Sequence, residues 1–292
     1  MHYIMKNLIY SCVFNNEKYL ILLFWFLESI QLFGNLDENT DLLIYTSSSF
    51  VEIIKSHPLY NNKIVFFIND NYNSIDLALK ARLDIFDYER IDHYDKILYL
   101  DTDILILKDL NPIFELIEKN VIYAVKEGNL IEDRHGYMYG GLSLFTEEEI
   151  ENYEDKSCFT SCTMLFNRCE EIKNLFSTIK IHIINKGILF GTGDQPYIVY
   201  NAKKHNLIDN IKITPFLTAN NMDIYIDYTI NHFGGFAGYP NFKLESMPKF
   251  LNEFKKYKKE KEQQEQQEQQ EQQEQQEQQE QQEQQEQQEQ QE

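Results

Sequence analysis

The sequence predicts an α/β fold built on a mostly parallel central sheet with helices on both faces. Three observations lead there. Short apolar runs alternate with segments of helical spacing through residues 4–107, the order expected of a doubly wound sheet. The runs are apolar throughout rather than alternating, as strands buried on both faces are. One of them, Ile97 to Leu107 (ILYLDTDILIL), is interrupted by two acids, and ligands of such sheets bind at the carboxyl ends of the strands.

The elements follow in order. Residues 4–14 read as the first strand. Asn15-Asn16-Glu17-Lys18 is a polar junction before a helix that runs to Phe33. Leu42 to Thr46 is a second strand, Ser47 to Lys55 begins a helix, and Lys63 to Ile68 is a third strand. Ile75, Leu79, Leu83 and Phe86 carry helical spacing through 75–92. After the acid-bearing strand, Asn111 and Pro112 supply the N-cap and first residue of a helix. Residues 121–125 predict a strand, and the polar, glycine-containing stretch 128–157 reads as a long loop or lid. Phe159 to Asn167 is a strand and Glu170 to Asn185 a helix. A glycine-punctuated turn, Gly187 to Gly193, precedes Asp194-Gln195-Pro196, and Tyr197 to Asn206 is helical.

Composition limits the function. The chain has 292 residues and a net charge of −20. From Glu262 to Glu292 it repeats Glu-Gln-Gln without an apolar residue; without those 11 glutamates the net charge is −9. An acidic domain is a poor partner for nucleic acid, which calls for clustered Lys and Arg. The repeat has a period of three and no face to bury, so it reads as disordered or as a solvated helix. The expected organisation is one domain over 1–252, then a Lys-rich junction and low-complexity tail over 253–292. The start of the chain lacks the pattern of a secretory signal. Its longest apolar run, Tyr19 to Leu27, is far short of the roughly 20 residues that span a bilayer. Cys12, Cys158, Cys162 and Cys169 fit a reduced compartment. These features predict a cytoplasmic protein, or one of the host cytoplasm if the source is viral.

Asp101-Thr102-Asp103 is the most informative motif. An unpaired buried carboxylate is expensive, so two acids inside an apolar run call for a cation, and hard oxygens suit Mn²⁺ or Mg²⁺. The simpler alternative is a solvated turn that ends the strand. Against it, the apolar run resumes at Ile104.

Five blocks in order give the motif a context: Phe14-Asn15-Asn16-Glu17-Lys18-Tyr19, Lys80-Ala81-Arg82-Leu83, Tyr94 to Asp103, Gly193-Asp194-Gln195, and His232-Phe233-Gly234-Gly235 with Lys243 and Met247. Together they resemble the retaining glycosyltransferases of family 8, the glycogenin and lipopolysaccharide-galactosyltransferase type. The resemblance covers residues 4–251 and implies a Rossmann-like GT-A nucleotide-diphospho-sugar transferase fold. It also implies a Mn²⁺-dependent enzyme, with Mg²⁺ the alternative ion, that moves a hexose (glucose or galactose) from a UDP-sugar to an acceptor hydroxyl. The acceptor is a glycan, protein or lipid, and a homodimer is left open. The alternative is a degenerate member that binds or hydrolyses UDP-sugar without an acceptor.

By the same resemblance, Asp101, Asp103 and His232 hold the metal. Arg82, Lys243, Thr102, Gly234 and Gly235 surround the diphosphate, Asn16 and Tyr19 receive the uridine, and Thr160 and Ser161 hold the sugar. Asp194 and Gln195 act on the sugar, with Gln195 near the anomeric carbon. Each has a plainer reading: a structural histidine, solvated lysines and arginine, a core tyrosine, a helix cap at Asp194. The chain departs from the family at two places. Thr160-Ser161-Cys162 stands where members have Asn-Ser/Ala-Gly, so Cys162 is expected to narrow the sugar pocket or shift sugar preference, and a weakened enzyme is left open. Gly238 stands where the family lysine falls in glycogenin-like members, and Lys243 takes its place.

Overall fold

The computed structural model describes residues 6–187, 193–235 and 242–289. By packing, the chain divides into two units, Met1–Asn221 with Asp227–Met247, and Met222–Ile226 with Pro248–Glu292.

The larger unit begins with β1 (Lys6–Val13), α1 (Glu17–Phe33), β2 (Thr40–Thr46), α2 (Ser48–Ser56) and β3 (Ile64–Ile68), as the apolar runs predict. The Asn16 side chain caps α1 by accepting from the Lys18 amide. The helical spacing of 75–92 resolves differently. Only α3 (Ile75–Ala78) is α-helical, and tight 3₁₀ turns follow at Ala81–Asp87 and Ile91–His93. The reason is burial. Ala81, Leu83, Asp84 and Ile85 are all buried, and an amphipathic α-helix with one inward face does not bury consecutive residues. Asp84 is drawn in to accept from Tyr45 Oη (3.1 Å) and to pair with Lys180 (3.3 Å).

Next come β4 (Tyr94–Leu100), β5 (Ile104–Ile106) and α4 (Asn111–Phe114). Leu110, not Asn111, occupies the cap of α4; the Asn111 side-chain Nδ2 instead donates to the Asn35 carbonyl at 2.8 Å. After β6 (Ile122–Asn129), the expected loop carries α5 (Arg134–Tyr139) and α6 (Glu147–Asn152). Both have side-chain caps: Asp133 accepts from the Gly136 amide, and Thr146 with Glu149 forms a capping box. Then β7 (Ser157–Asn167), α7 (Glu170–Lys186), α8 (Gln195–Lys204), β8 (Ile208–Asp209), β9 (Leu217–Ala219), β10 (Ile230–His232) and α9 (Phe242–Glu289) complete the chain. The expected turn at 188–192, Gly238 and the first residues of the opening strand lie outside the described residues.

The main sheet has the order β3-β2-β1-β4-β7-β6-β8. Pairing is parallel except at β7, which runs antiparallel to both β4 and β6. Alternate residues of a strand face opposite sides, and each side has its own core. Leu8, Tyr10, Ile97 and Tyr99 pack with Phe176 of α7 and Tyr197 of α8. Ile9, Val13, Leu98 and Leu100 pack with Leu23, Phe26 and Leu27 of α1. Helices therefore cover both faces, as expected. A second sheet, β5-β10-β9, takes up the chain after the two acids. Among the described residues, no helix is long and apolar enough to cross a membrane.

The smaller unit holds most of α9. Pro248 stands inside this helix where it leaves the larger unit, and Tyr225 meets Tyr257 edge-on at 5.0 Å. From 261 to 273 every residue is exposed.

One buried hydroxyl fastens the second sheet to the first helix. Ser29 Oγ donates to the Phe26 carbonyl at 2.8 Å and accepts from the Ile106 amide at 2.9 Å. Ser29→Ala leaves the β5 amide unsatisfied and is expected to cost about 2 kcal/mol, read as a lower midpoint in denaturant unfolding.

Candidate functional site

The site forms where one apolar run changes sheets. β4 ends at Leu100, and the Asp101 amide donates to the Cys162 carbonyl of β7 at 2.9 Å. Thr102 and Asp103 follow, then β5 pairs with β10, placing His232 opposite Ile104. The Phe233 amide donates to the Asp103 carbonyl at 2.8 Å and closes the arrangement. The backbone thus brings Asp101, Asp103 and His232 together, with one ligand atom from each inside a 4.8 Å span.

This group can hold a metal ion. Asp103 Oδ1 is buried without a hydrogen bond, and His232 Nε2 lies 3.5 Å away. Two carboxylates and an imidazole suit a divalent cation. The other Asp103 oxygen takes the Lys243 ammonium. Burial works to raise Asp103, but Lys243 and His232 outweigh it and hold the carboxyl well below its usual range. His232 shows the complement. Burial disfavours the charged ring, yet Cys162 and Asp103 lift its pKa well above the histidine norm.

Arg82 organises the other side. Its guanidinium lies over the Tyr99 ring at 4.8 Å, donates to the Ser161 carbonyl at 2.8 Å, and reaches Asp101 at 3.4 Å and Asp194 at 3.1 Å. The plainer reading, a cation on a helix surface, does not hold, because the side chain is only 11% exposed. Tyr99 donates its hydroxyl to Asp101. Gln195 Oε1 accepts from both the amide (3.2 Å) and hydroxyl (3.3 Å) of Ser161. Asp194 is buried at the start of α8, and its side chain makes no cap there.

Beside these groups opens a cleft of about 790 Å³, lined by Phe14, Asn15, Asn16, Tyr19, Leu79, Arg82, Tyr99, Asp101, Thr102, Asp103 and Lys243 among others. Tyr19 is 43% exposed, so it is not the core residue of the plainer reading. Gly234 packs against His232, where an added Cβ would sit 3.2 Å from the ring, whereas nothing lies within 4 Å of a Cβ at Gly235. Thr160 accepts from the Cys162 amide at 3.4 Å. Cys162 is buried and is not part of the cleft lining. Lys80 also stands outside it.

Sequence reasoning did not single out Asn15, Tyr99 or Leu79 as site residues. Asn15 carried a signal: the junction after β1 needs a left-handed residue, and Asn15 has φ 67°, a conformation asparagine tolerates. Leu79 and Tyr99 carried none, since an apolar residue on a helix or strand reads as core.

The family model for glycosyl transferase family 8 matches residues 5–194. The chain belongs to this family. It is a glycosyltransferase, and its fold is shared with solved GT-A structures. The galactosyltransferase LgtC, solved in complex with donor and acceptor sugar analogs, superposes with a TM-score of 0.57 at 14% identity, covering 84% of this chain and 94% of that one. Mouse xyloside xylosyltransferase 1 gives 0.52 at 12%, covering 79% and 97%. The bifunctional glycosyltransferase WbbM gives 0.55 at 13%, covering 85% of this chain but half (50%) of WbbM. No curated protein matches.

Asp194 gives a pH test. Burial, the largest cause, and the Asp101 charge outweigh the Arg82 cation and push it up to about 6, from 3.8. The folded state then binds more protons than the unfolded one between those values, so this group's stabilisation is present below pH about 4 and lost as pH rises through about 6. Asp194→Asn is therefore expected to remove a downward step in melting temperature between pH 4 and 6, measured by thermal melts across that range.

Proposed function

We propose that the chain transfers a hexose, glucose or galactose, from a UDP-sugar to an acceptor hydroxyl with retention of anomeric configuration. The observation that carries this reading is the convergence of Asp101, Asp103 and His232 with two cations, Arg82 and Lys243, at the rim of one cleft. Carboxylates, an imidazole and paired cations suit a metal-bound diphosphate better than a neutral ligand. The cleft lies past the carboxyl ends of β1 and β4, where ligands of α/β sheets bind. LgtC is described as a galactosyltransferase bound to donor and acceptor sugar analogs, which supports the same class of substrates here.

In this reading Asp101, Asp103 and His232 hold Mn²⁺, with Mg²⁺ the alternative. When bound, the cation supplies Lewis-acid neutralisation of charge on the departing UDP. Arg82 and Lys243 add fixed positive charge to the diphosphate. Gly234 gives the backbone close access to a phosphate. Tyr19 and Asn16 take the uridine, Thr102 lies beside the diphosphate, and Thr160 and Ser161 lie beside the sugar. Asp194 and Gln195 bind sugar hydroxyls. Gln195 is held by Ser161 and is a poor nucleophile, so the acceptor oxygen attacks on the face that UDP leaves. The C1–O bond to UDP breaks, the new C1–O bond forms, and the acceptor proton passes to the β-phosphate. The catalytic domain is proposed to span 1–252, with 253–292 outside the chemistry.

The test is UDP release from a panel of UDP-sugars, with Mn²⁺ and with EDTA. Metal-dependent turnover of one donor is expected. Release of free sugar without acceptor dependence would favour the hydrolytic alternative, and no binding of UDP would sink the reading. Asp103→Ala is expected to reduce transfer by about a hundredfold or more, and Gln195→Ala by about tenfold to a hundredfold. Truncation after Lys261 is expected to leave turnover within about twofold of the full chain, since the removed segment has no part in catalysis on this reading.

A further inference from the structure

Tyr10 of β1 and Tyr99 of β4 are paired in register, with ring centroids 4.9 Å apart. Tyr99 is 2% exposed, yet it lines the cleft. The two hydroxyls go to different partners. Tyr10 donates to the Arg82 carbonyl at 2.9 Å and so holds the turn that carries Arg82. Tyr99 donates to Asp101 Oδ1. The strand makes that bond available, because a residue and the next but one share a face.

The ring of Tyr99 has a contact of its own. The Arg82 guanidinium lies over it at 4.8 Å and reaches the same Asp101 oxygen at 3.4 Å. One side chain therefore meets an acid of the metal-holding group through its hydroxyl and a cation of the cleft through its face. Packing beside Tyr10 asks for neither contact, since phenylalanine would fill the same space. Carboxylates that ligate a metal are themselves hydrogen-bonded, which fixes the plane they present to the ion. A guanidinium over an aromatic face is attracted by the ring, more strongly where water is excluded.

We infer that Tyr99 is a positioning residue with two separable parts: its hydroxyl sets the Asp101 carboxylate for the metal, and its ring sets Arg82 for the diphosphate. This rests on the metal and UDP-sugar reading above. It gives a role at the site to a side chain that, read as sequence, is a core aromatic of a buried strand.

The test is binding to the full chain of Mn²⁺, followed by the EPR signal of free Mn²⁺, and of UDP at saturating Mn²⁺, followed by calorimetry. Tyr99→Phe keeps the ring and removes the hydroxyl. It is expected to weaken Mn²⁺ binding about tenfold, as loss of an outer partner does, and to leave UDP affinity within about twofold of native. Tyr99→Leu removes both parts and is expected to bind UDP about fivefold more weakly than Tyr99→Phe. Where the leucine variant does not fold, Tyr99→Met keeps the bulk without the ring. Native Mn²⁺ affinity in Tyr99→Phe would overturn the role of the hydroxyl. Equal UDP affinity with and without the ring would overturn the role of the ring. A merely structural tyrosine predicts that Tyr99→Phe loses Mn²⁺ and UDP affinity together, and that outcome would overturn the inference too. Asp103→Ala separates this inference from the reading it rests on. If it abolishes Mn²⁺ binding while Tyr99→Phe binds like the native chain, only the positioning of Asp101 fails. If the native chain binds no Mn²⁺, the metal reading fails and takes this inference with it. If it binds Mn²⁺ but no UDP, the diphosphate reading fails, and the role of the ring with it.

Discussion

The site depends on holding two carboxylates, Asp103 buried and Asp101 partly buried, among cations inside a protein. Asp101 and Asp103 interrupt a run whose neighbours are fully buried, and a carboxylate there without a partner would cost several kcal/mol. The chain meets this cost with cations brought from distant positions. Arg82 arrives on a tight turn and Lys243 on the first turn of α9. Each cation is in turn set by its surroundings: Arg82 by the Tyr99 ring and the Ser161 carbonyl, Lys243 by burial beside Asp103. Fold and site are therefore the same problem. The arrangement that pairs these two acids with cations also assembles what a metal-bound diphosphate would need.

The change of sheet at Asp101–Asp103 is what makes the group three-dimensional. A strand continuing straight would send its acids to the same side, two residues apart, with no third ligand nearby. Leaving the main sheet at Leu100 and pairing β5 with β10 brings in His232, which is 129 residues later than Asp103 in the chain. The second sheet has only short strands. Its position relative to the first relies on a few specific bonds, among them Ser29 to the Ile106 amide and Phe233 to the Asp103 carbonyl. Small polar groups in that seam matter more to the site than their size suggests.

Much of this was legible in the residues. The apolar runs became strands because burial on both faces leaves no other pattern. The acid pair stands at a strand end because burial of charge permits little else. Where reading failed, local and tertiary signals conflicted. The stripe at 75–92 obeyed helical spacing, but Arg82 and Asp84 had partners across the core, and those bonds tightened the chain into 3₁₀ turns. Residues 128–157 looked polar enough for a loop, yet Thr146 and Glu149 form a capping box that could have been read directly. Two-to-three-residue strands such as β8, β9 and β10 leave no pattern of their own, because their pairing is decided by the sheets they join.

The Thr160-Ser161-Cys162 stretch shows how far one substitution reaches when a strand separates two functions. A glycine at 162 would leave the sugar side of β7 unchanged, because the side chain it lacks belongs to the opposite face. The cysteine fills that face. It adds volume in an apolar core beside Leu100 and Ile230.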